Sequence, residues 1–184
     1  MNDIVSGVLS VSVSAVISIV GFIITIFTLK RNFQNELAKQ KANVQLEKMS
    51  EIPYEILILL QDIIDSGKGN FTSDAQQRIK QKMDWIFSSI YAYGSTKSIQ
   101  ILAAMQSENY QNAVTPELTD NFRMMTYYVL LTVQIRSDIT GEIVSPEAWF
   151  KLKITDYATN REKIKTANNQ SVNELSLNKQ YMMK

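Results

Sequence analysis

The chain has 184 residues, with 19 Lys plus Arg against 18 Asp plus Glu, and it contains neither His nor Cys. The missing cysteines exclude a disulfide framework and thiolate metal ligands, and the missing histidines remove the residue that most often transfers protons near neutral pH. We therefore expect a protein that is not an enzyme, that uses no cofactor or metal, and whose balanced charge selects no partner.

Residues 1–30 predict a transmembrane helix. From Ile4 to Leu29 there are 26 residues without a charge, and a helix of that length reaches about 39 Å, against a hydrocarbon core of about 30 Å. A cleaved signal peptide is the competing interpretation, but it needs a basic start, and the only charge before the apolar run is Asp3. Basic residues instead follow the run, at positions 30, 31, 39, 41 and 48. The positive-inside rule then places the N-terminus outside and the C-terminal domain in the cytoplasm.

Small and hydroxyl residues of this segment share one face of the predicted helix. At roughly 100° per residue they fall within a sector of about 120°, and only Ser12 points elsewhere. Leu, Val, Ile and Phe occupy the opposite face. Such a stripe has two interpretations, close helix packing in a homo-oligomer or the wet lining of a pore made by several copies. Its members are Ser6, Ser10, Ser14, Ser18, Gly21, Thr25 and Thr28.

Residues 31–52 predict a solvated helical stalk, because helix formers dominate and apolar residues are sparse. It is interpreted either as a coupler of domain movement to the membrane or as a spacer. Residues 53–167 predict a cytoplasmic bundle of short helices separated by capping residues. Residues 168–184 are Asn- and Gln-rich, so we expect a mobile polar tail with at most one helical turn.

Capping signals divide the bundle. Pro53 begins its first helix, Thr72 or Ser73 caps the second, and Gly94 ends that one. In the second helix, one apolar face combines Ile79, Met83, Ile86, Phe87 and Ile90. Further starts are expected at Ser95, at Thr115-Pro116-Glu117, at Ser145-Pro146-Glu147 and at Thr155-Asp156, the last helix running toward Lys165.

One helix of the bundle is apolar on every side. The uncharged run from Met124 to Ile135 is too short to span a membrane and is bounded by Arg123 and Arg136. It predicts a central helix that is buried on several faces and ends at Gly141. Because no run alternates with a period of two for long enough to form a strand, the predicted class is all-α.

Two places offer candidate ligand-binding residues. In "YAYGSTKS", Ser95 and Lys97 would lie at a helix N-terminus that favours an anion, and Tyr91 and Tyr93 are able to stack on a base. The segment lacks the upstream glycine of a phosphate-binding P-loop, so ordinary helix caps are the alternative interpretation. In "QIRSDITGE", Arg136 either neutralises carbonyls and carboxylates at the helix end or reaches an anionic ligand.

The layout of an N-terminal span, "YGSTKSIQILAAMQ" and a buried helix ending in "QIRSDITG" resembles bacterial single-pass membrane effectors of anti-phage systems. In architecture it resembles the Hailong membrane effectors. The resemblance implies a tetrameric ion channel in the bacterial inner membrane, a single-stranded DNA oligomer or nucleotide as ligand, and a cytoplasmic nucleotidyltransferase as partner. It also implies that the bundle senses the ligand, that the stalk couples the bundle to the membrane helix and that the stripe lines the pore.

The predicted function is therefore a homo-oligomeric membrane effector, an ion channel or pore gated by its cytoplasmic helical domain in anti-phage defence. The alternative is a non-conducting single-pass anchor, embedded in membrane lipid, that presents a helical domain to a cytoplasmic partner. A hydrolase on a membrane tether would require a carboxylate pair, which the sequence does not offer.

Overall fold

The computed structural model describes the backbone of residues 2–66 and 73–184, and the side chains of 22–65, 73–117 and 119–184. Over these ranges the chain is helical and forms no strand, which confirms the predicted all-α class. Two short 3₁₀ turns, Pro116–Leu118 and Lys179–Tyr181, accompany the α-helices. The α-helices are α1 Asn2–Met49, α2 Ile52–Ser66, α3 Ser73–Tyr93, α4 Thr96–Val114, α5 Asn121–Thr140, α6 Pro146–Lys153 and α7 Tyr157–Glu174.

The chain divides into two compact units, Met1–Val44 and Gln45–Lys184. The first unit consists of α1 up to Val44, and its described side chains, from Phe22 onward, are exposed. In the part of the chain with described side chains, no helix is both long and apolar enough to cross a membrane. Most of the predicted span over residues 1–30 lies outside that part, since side-chain description begins at residue 22.

The second unit begins earlier than Pro53, the predicted start of the bundle. Met49, in the last turn of α1, is 3% exposed, and Ile52 is fully buried. Met49 and Ile52, predicted as part of the stalk, therefore contribute to the core of the bundle. Their burial was not predicted, because only three apolar side chains lie among the polar residues of this segment, and one of them, Leu46, is 40% exposed.

Helix α5 is the centre of the second unit, as the uncharged run predicted. It packs against α2, α4, α6 and α7, and its residues 126–133 and 135 are buried. Helix α3 presents the predicted apolar face, with Ile86 and Ile90 buried and Ile79, Met83 and Phe87 packed at the margin of the core. Helices α4 and α5 run antiparallel, because Ser98 contacts Asp138 and Glu108 contacts Arg123.

Most predicted helix ends are confirmed, but the predicted start of α5 and the predicted end of the last helix are wrong. The Ser95 side chain accepts from the Ser98 amide, the Ser145 side chain accepts from the Glu147 amide, and Gly141 ends α5 in the left-handed region at φ 72°. Thr115-Pro116 does not begin α5: these residues lead into a separate 3₁₀ turn. Asp120 caps α5 instead, because its carboxylate accepts from two free amides of the first turn.

The predicted polar tail over residues 168–184 is also corrected. Helix α7 continues past Lys165 to Glu174, and Tyr181 and Met183 are 1% and 3% exposed in the core. The asparagines that indicated disorder hold the backbone of this segment. The Asn168 side chain donates to the Tyr181 carbonyl at 2.9 Å, and Asn169 both donates to the Met183 carbonyl and accepts from its amide.

Candidate functional site

Only the C-terminal end of the predicted hydroxyl stripe has described side chains. Ser6, Ser10, Ser14, Ser18 and Gly21 lie outside them, whereas Thr25 and Thr28 are exposed on α1. The Thr28 hydroxyl donates to the Ile24 carbonyl of its own helix at 2.9 Å. Between the two threonines and around them, large apolar side chains are exposed, among them Phe22 at 68% and Phe27 at 70%.

The segment "YAYGSTKS" is the junction between α3 and α4. The Tyr91 side chain is 77% exposed and Tyr93 is 38% exposed. The ammonium of Lys97 lies 3.4 Å from the carbonyl oxygens of both Leu175 and Ser176. These carbonyls end α7, where the helix dipole is negative, so Lys97 stabilises the end of a neighbouring helix. Its position is thus explained without a ligand.

A polar chain continues from the α4 cap, and we name it the Asp138 junction (Ser95, Ser98, Gln134 and Asp138). It runs from the buried Ser98 to the exposed Asp138. Ser98 is fully buried, and its hydroxyl donates to Asp138 at 2.8 Å. Because the Ser98 hydroxyl proton is used in that hydrogen bond, the Ser95 hydroxyl donates to Ser98 Oγ, 3.0 Å away. Gln134 donates to the second carboxylate oxygen at 2.8 Å. The junction connects the start of α4 to the end of α5.

Arg136 lies close to this junction in sequence but pairs elsewhere. Its Nη2 donates to Glu142 at 3.3 Å, and Glu142 is 73% exposed. Its Nη1 is enclosed and has no hydrogen-bond partner in the described structure. Among the described residues, no hydrogen bond joins Arg136 to Ser95 or Lys97. The candidate ligand residues therefore do not converge on one site there, and ordinary capping explains Ser95 and Lys97.

A charged cluster connects three helices, and the sequence did not indicate it as a site. We name it the Arg123 junction (Glu108, Arg123, Tyr127 and Glu174). Arg123 donates to Glu108 at 2.9 Å, to Glu174 at 2.6 Å and to the Tyr127 hydroxyl at 2.9 Å. Only 19% of the Arg123 side chain is exposed. The Glu174 carboxylate raises the pKa of Arg123 further, and the Arg123 hydrogen bond lowers the pKa of Glu174. This junction connects α4, α5 and α7.

A second carboxylate cluster joins α6 to α7. Glu147 accepts from the Tyr157 hydroxyl at 2.8 Å and lies near Lys151 and Arg161. The Tyr157 hydrogen bond and these cations lower the pKa of Glu147, and burial raises the pKa of Tyr157. Glu147 thus faces two cations, which is the arrangement of a structural ion pair and not that of a proton donor poised near neutral pH.

The described side chains offer no group of three His, Cys, Asp or Glu residues that could hold a metal ion. No family model, curated protein or solved structure matches the chain. Any assignment of function must therefore start from the physical character of the two units.

Proposed function

We propose that this protein is a homo-oligomeric single-pass membrane effector whose hydroxyl stripe lines a small pore and whose helical second unit gates it. The observation that carries the proposal is the composition of α1: an uncharged run of 26 residues with its hydroxyls sorted onto one face. A single copy in a bilayer would place the hydroxyl face in lipid together with the apolar face, whereas several copies would bury the hydroxyl face between helices.

The described end of the run supports a nonaqueous environment. Phe22, Ile23, Ile24, Ile26, Phe27 and Leu29 are all 47% or more exposed in the isolated chain. At roughly 100° per residue they cover about 220° of the helix circumference, and Thr25 and Thr28 lie in the remaining sector. A single packing contact would therefore leave part of this apolar surface in water. Contiguous apolar surface of this kind belongs to a membrane or to an interface between chains.

The stripe supports association, and conduction is the stronger form of the proposal. Small residues permit close approach of helices, which two or three positions would already provide. The stripe repeats from Ser6 to Thr28, so several copies would present hydroxyls to a common axis over the depth of the bilayer. Gating by the second unit rests on the backbone continuity of α1, whose last turn contains the buried Met49.

A non-conducting anchor that presents the bundle to a cytoplasmic partner is the second candidate. The internal bond from Thr28 to the Ile24 carbonyl favours it, because a hydroxyl that donates within its own helix can lie in lipid without a pore. The anti-phage role, the tetramer, the DNA-oligomer ligand and the nucleotidyltransferase partner rest on the resemblance in layout.

Liposomes loaded with a small dye and containing the full-length chain separate the two candidates. Ser14→Leu places a bulky side chain on the stripe, and Ser12→Leu makes the same change off the stripe. For a pore we expect efflux from the wild type, loss of efflux in Ser14→Leu and retention in Ser12→Leu. Ser14→Ala keeps the helix contact small while removing the hydroxyl, so it should keep the oligomer and reduce the efflux.

Crosslinking in the same liposomes measures assembly independently of conduction. An inserted, oligomeric wild type that releases no dye would reject the pore and favour the anchor. A monomeric wild type would reject both the pore and the role of the stripe. Phage plating on cells that express the wild type or Ser14→Leu tests the defence role, which requires protection by the first and its loss in the second.

A further inference from the structure

A large pocket of the second unit lies apart from the Asp138 junction and the Arg123 junction. Side chains of α2, α3, α4 and α5, together with Thr119, line an open pocket of about 780 Å³. Pockets that bind small molecules usually measure about 300–1,000 Å³. Neither Arg123 nor Asp138 lines it, so it is distinct from the two polar junctions that hold the helices together.

Most of the pocket wall is apolar. Ile63 and Ile64 of α2, Met83 of α3, and Met124 and Met125 of α5 contribute to it. Methionine side chains are flexible and polarisable, so they adapt to ligands of varied outline. The described lining residues include no Asp, Glu, Lys or Arg.

One side of the pocket carries amides. Gln106, Asn109 and Asn112 follow one another at intervals of three on α4, and they form a single polar stripe along the wall. Asn109 donates to the Gln106 side-chain oxygen at 2.8 Å, which leaves the Gln106 amide nitrogen as a further donor. Amides orient a ligand through hydrogen bonds without requiring it to be charged.

The packing of the core does not explain why the buried Tyr128 carries a hydroxyl. Its side chain lines the pocket and is only 5% exposed, yet no hydrogen bond of its hydroxyl occurs in the described part of the chain. Burial raises the pKa of Tyr128 to about 12, so the hydroxyl stays neutral at physiological pH. A buried hydroxyl is normally paired, because leaving it unpaired costs free energy.

We propose that this pocket binds a neutral, mostly apolar small molecule that exchanges a hydrogen bond with the Tyr128 hydroxyl and is oriented by the amides of α4. Charge decides the ligand class. A phosphate or carboxylate group in this pocket would lose its hydration without gaining a cation, which is strongly unfavourable. The proposal excludes a nucleotide from this pocket, and it does not depend on whether α1 forms a pore.

Two dyes with the same ring system test the charge preference. N-phenyl-1-naphthylamine is neutral, and 8-anilino-1-naphthalenesulfonate adds a sulfonate to it. Fluorescence titration uses the full-length chain in lipid nanodiscs, with empty nanodiscs as the blank, because detergent would compete for an apolar pocket. We expect saturable one-site binding of the neutral dye and binding of the sulfonate at least about tenfold weaker. Absence of saturable binding above the blank, or equal affinity for both dyes, would overturn the proposal.

Three variants locate the binding. Tyr128→Phe removes only the hydroxyl and should weaken the neutral dye about two- to tenfold, the range of one hydrogen bond. Met125→Trp fills the pocket and should abolish binding, whereas Met182→Trp enlarges a half-buried methionine outside it and should not. Circular dichroism checks that each variant folds. Unchanged affinity in a folded Met125→Trp overturns the site. If that variant does not fold, unchanged affinity in Tyr128→Phe overturns the proposed contact.

Discussion

Replacing Arg123 by Met tests whether the Arg123 junction holds three helices together. Methionine keeps most of the length of the apolar stem and removes the guanidinium, so it leaves two carboxylates and the Tyr127 hydroxyl without their common partner. The Arg123 side chain is 19% exposed and Glu108 is 16% exposed, so water replaces little of the lost interaction there. Glu174 is 42% exposed and is largely rehydrated.

The magnitude follows from these exposures. Removing one member of a buried ion pair costs about 3–5 kcal/mol, and an exposed pair contributes about 0–1 kcal/mol. The Glu108 side of the junction approaches the first case and the Glu174 side approaches the second. We therefore expect Arg123→Met to lower the free energy of unfolding by about 2–4 kcal/mol. Adding Glu108→Gln should recover about 1–2 kcal/mol, because it removes the unpaired carboxylate.

Urea unfolding of the full-length chain, followed by tryptophan fluorescence at a fixed concentration of mild detergent, measures these differences. Arg136→Met is the matched control, since Arg136 lies on the same helix but pairs with the 73% exposed Glu142 at 3.3 Å. Its expected loss is below about 1 kcal/mol. Equal losses in the two variants, or no recovery in the double variant, would refute the assignment of Arg123 as the junction between α4, α5 and α7.

Three further predictions concern other parts of the second unit. Glu147→Gln should lower the free energy of unfolding at pH values above the ordinary glutamate pKa of 4.5, because the Tyr157 hydrogen bond lowers the pKa of Glu147 in the folded state. The difference from wild type should shrink as unfolding is measured at lower pH. A difference that does not depend on pH would contradict this. Gly141→Ala should lower the free energy of unfolding by about 1 kcal/mol in thermal unfolding. Space is not the reason, because nothing lies within 4 Å of the added Cβ; the cost comes from the positive φ of 72°, which Asn tolerates better, so Gly141→Asn should cost less. Tyr181→Ala should lower the free energy of unfolding by about 3–4 kcal/mol, because the side chain is buried. The control Tyr110→Ala, at a residue that is 67% exposed, should lower it by less than about 0.5 kcal/mol. Similar losses in the two variants would refute the packing of the C-terminus.

Local chemistry made much of the bundle predictable. Ser95 and Ser145 cap their helices because their side-chain oxygens reach the free amides of the next turn, and Gly141 ends α5 because it adopts a positive φ at little cost. The same reasoning failed at Thr115, where Asp120 provides a better cap five residues later. Two adjacent capping signals compete, and the sequence does not indicate which one the packing of α5 will select.

The candidate site was less predictable. Lys97 was expected to favour an anion but lies against the carbonyl end of α7, a contact between residues 78 positions apart in the sequence. Arg123 entered only as the boundary of an apolar run, since nothing in its sequence neighbourhood indicates Glu108 or Glu174 as partners. Tyr128 was included in a buried helix without any sign that its side chain would line a pocket.

The sequence by itself determined the all-helical class, most helix ends and the central position of α5, because these depend on hydrophobic spacing and on hydrogen bonds between near neighbours. Only the tertiary structure decided that the C-terminal segment is packed, that three helices meet at Arg123 and that α2 to α5 leave a pocket. Those features arise where distant segments meet. An asparagine that looks like part of a disordered tail becomes a structural residue only when another segment, here the backbone at Tyr181, lies within hydrogen-bonding distance.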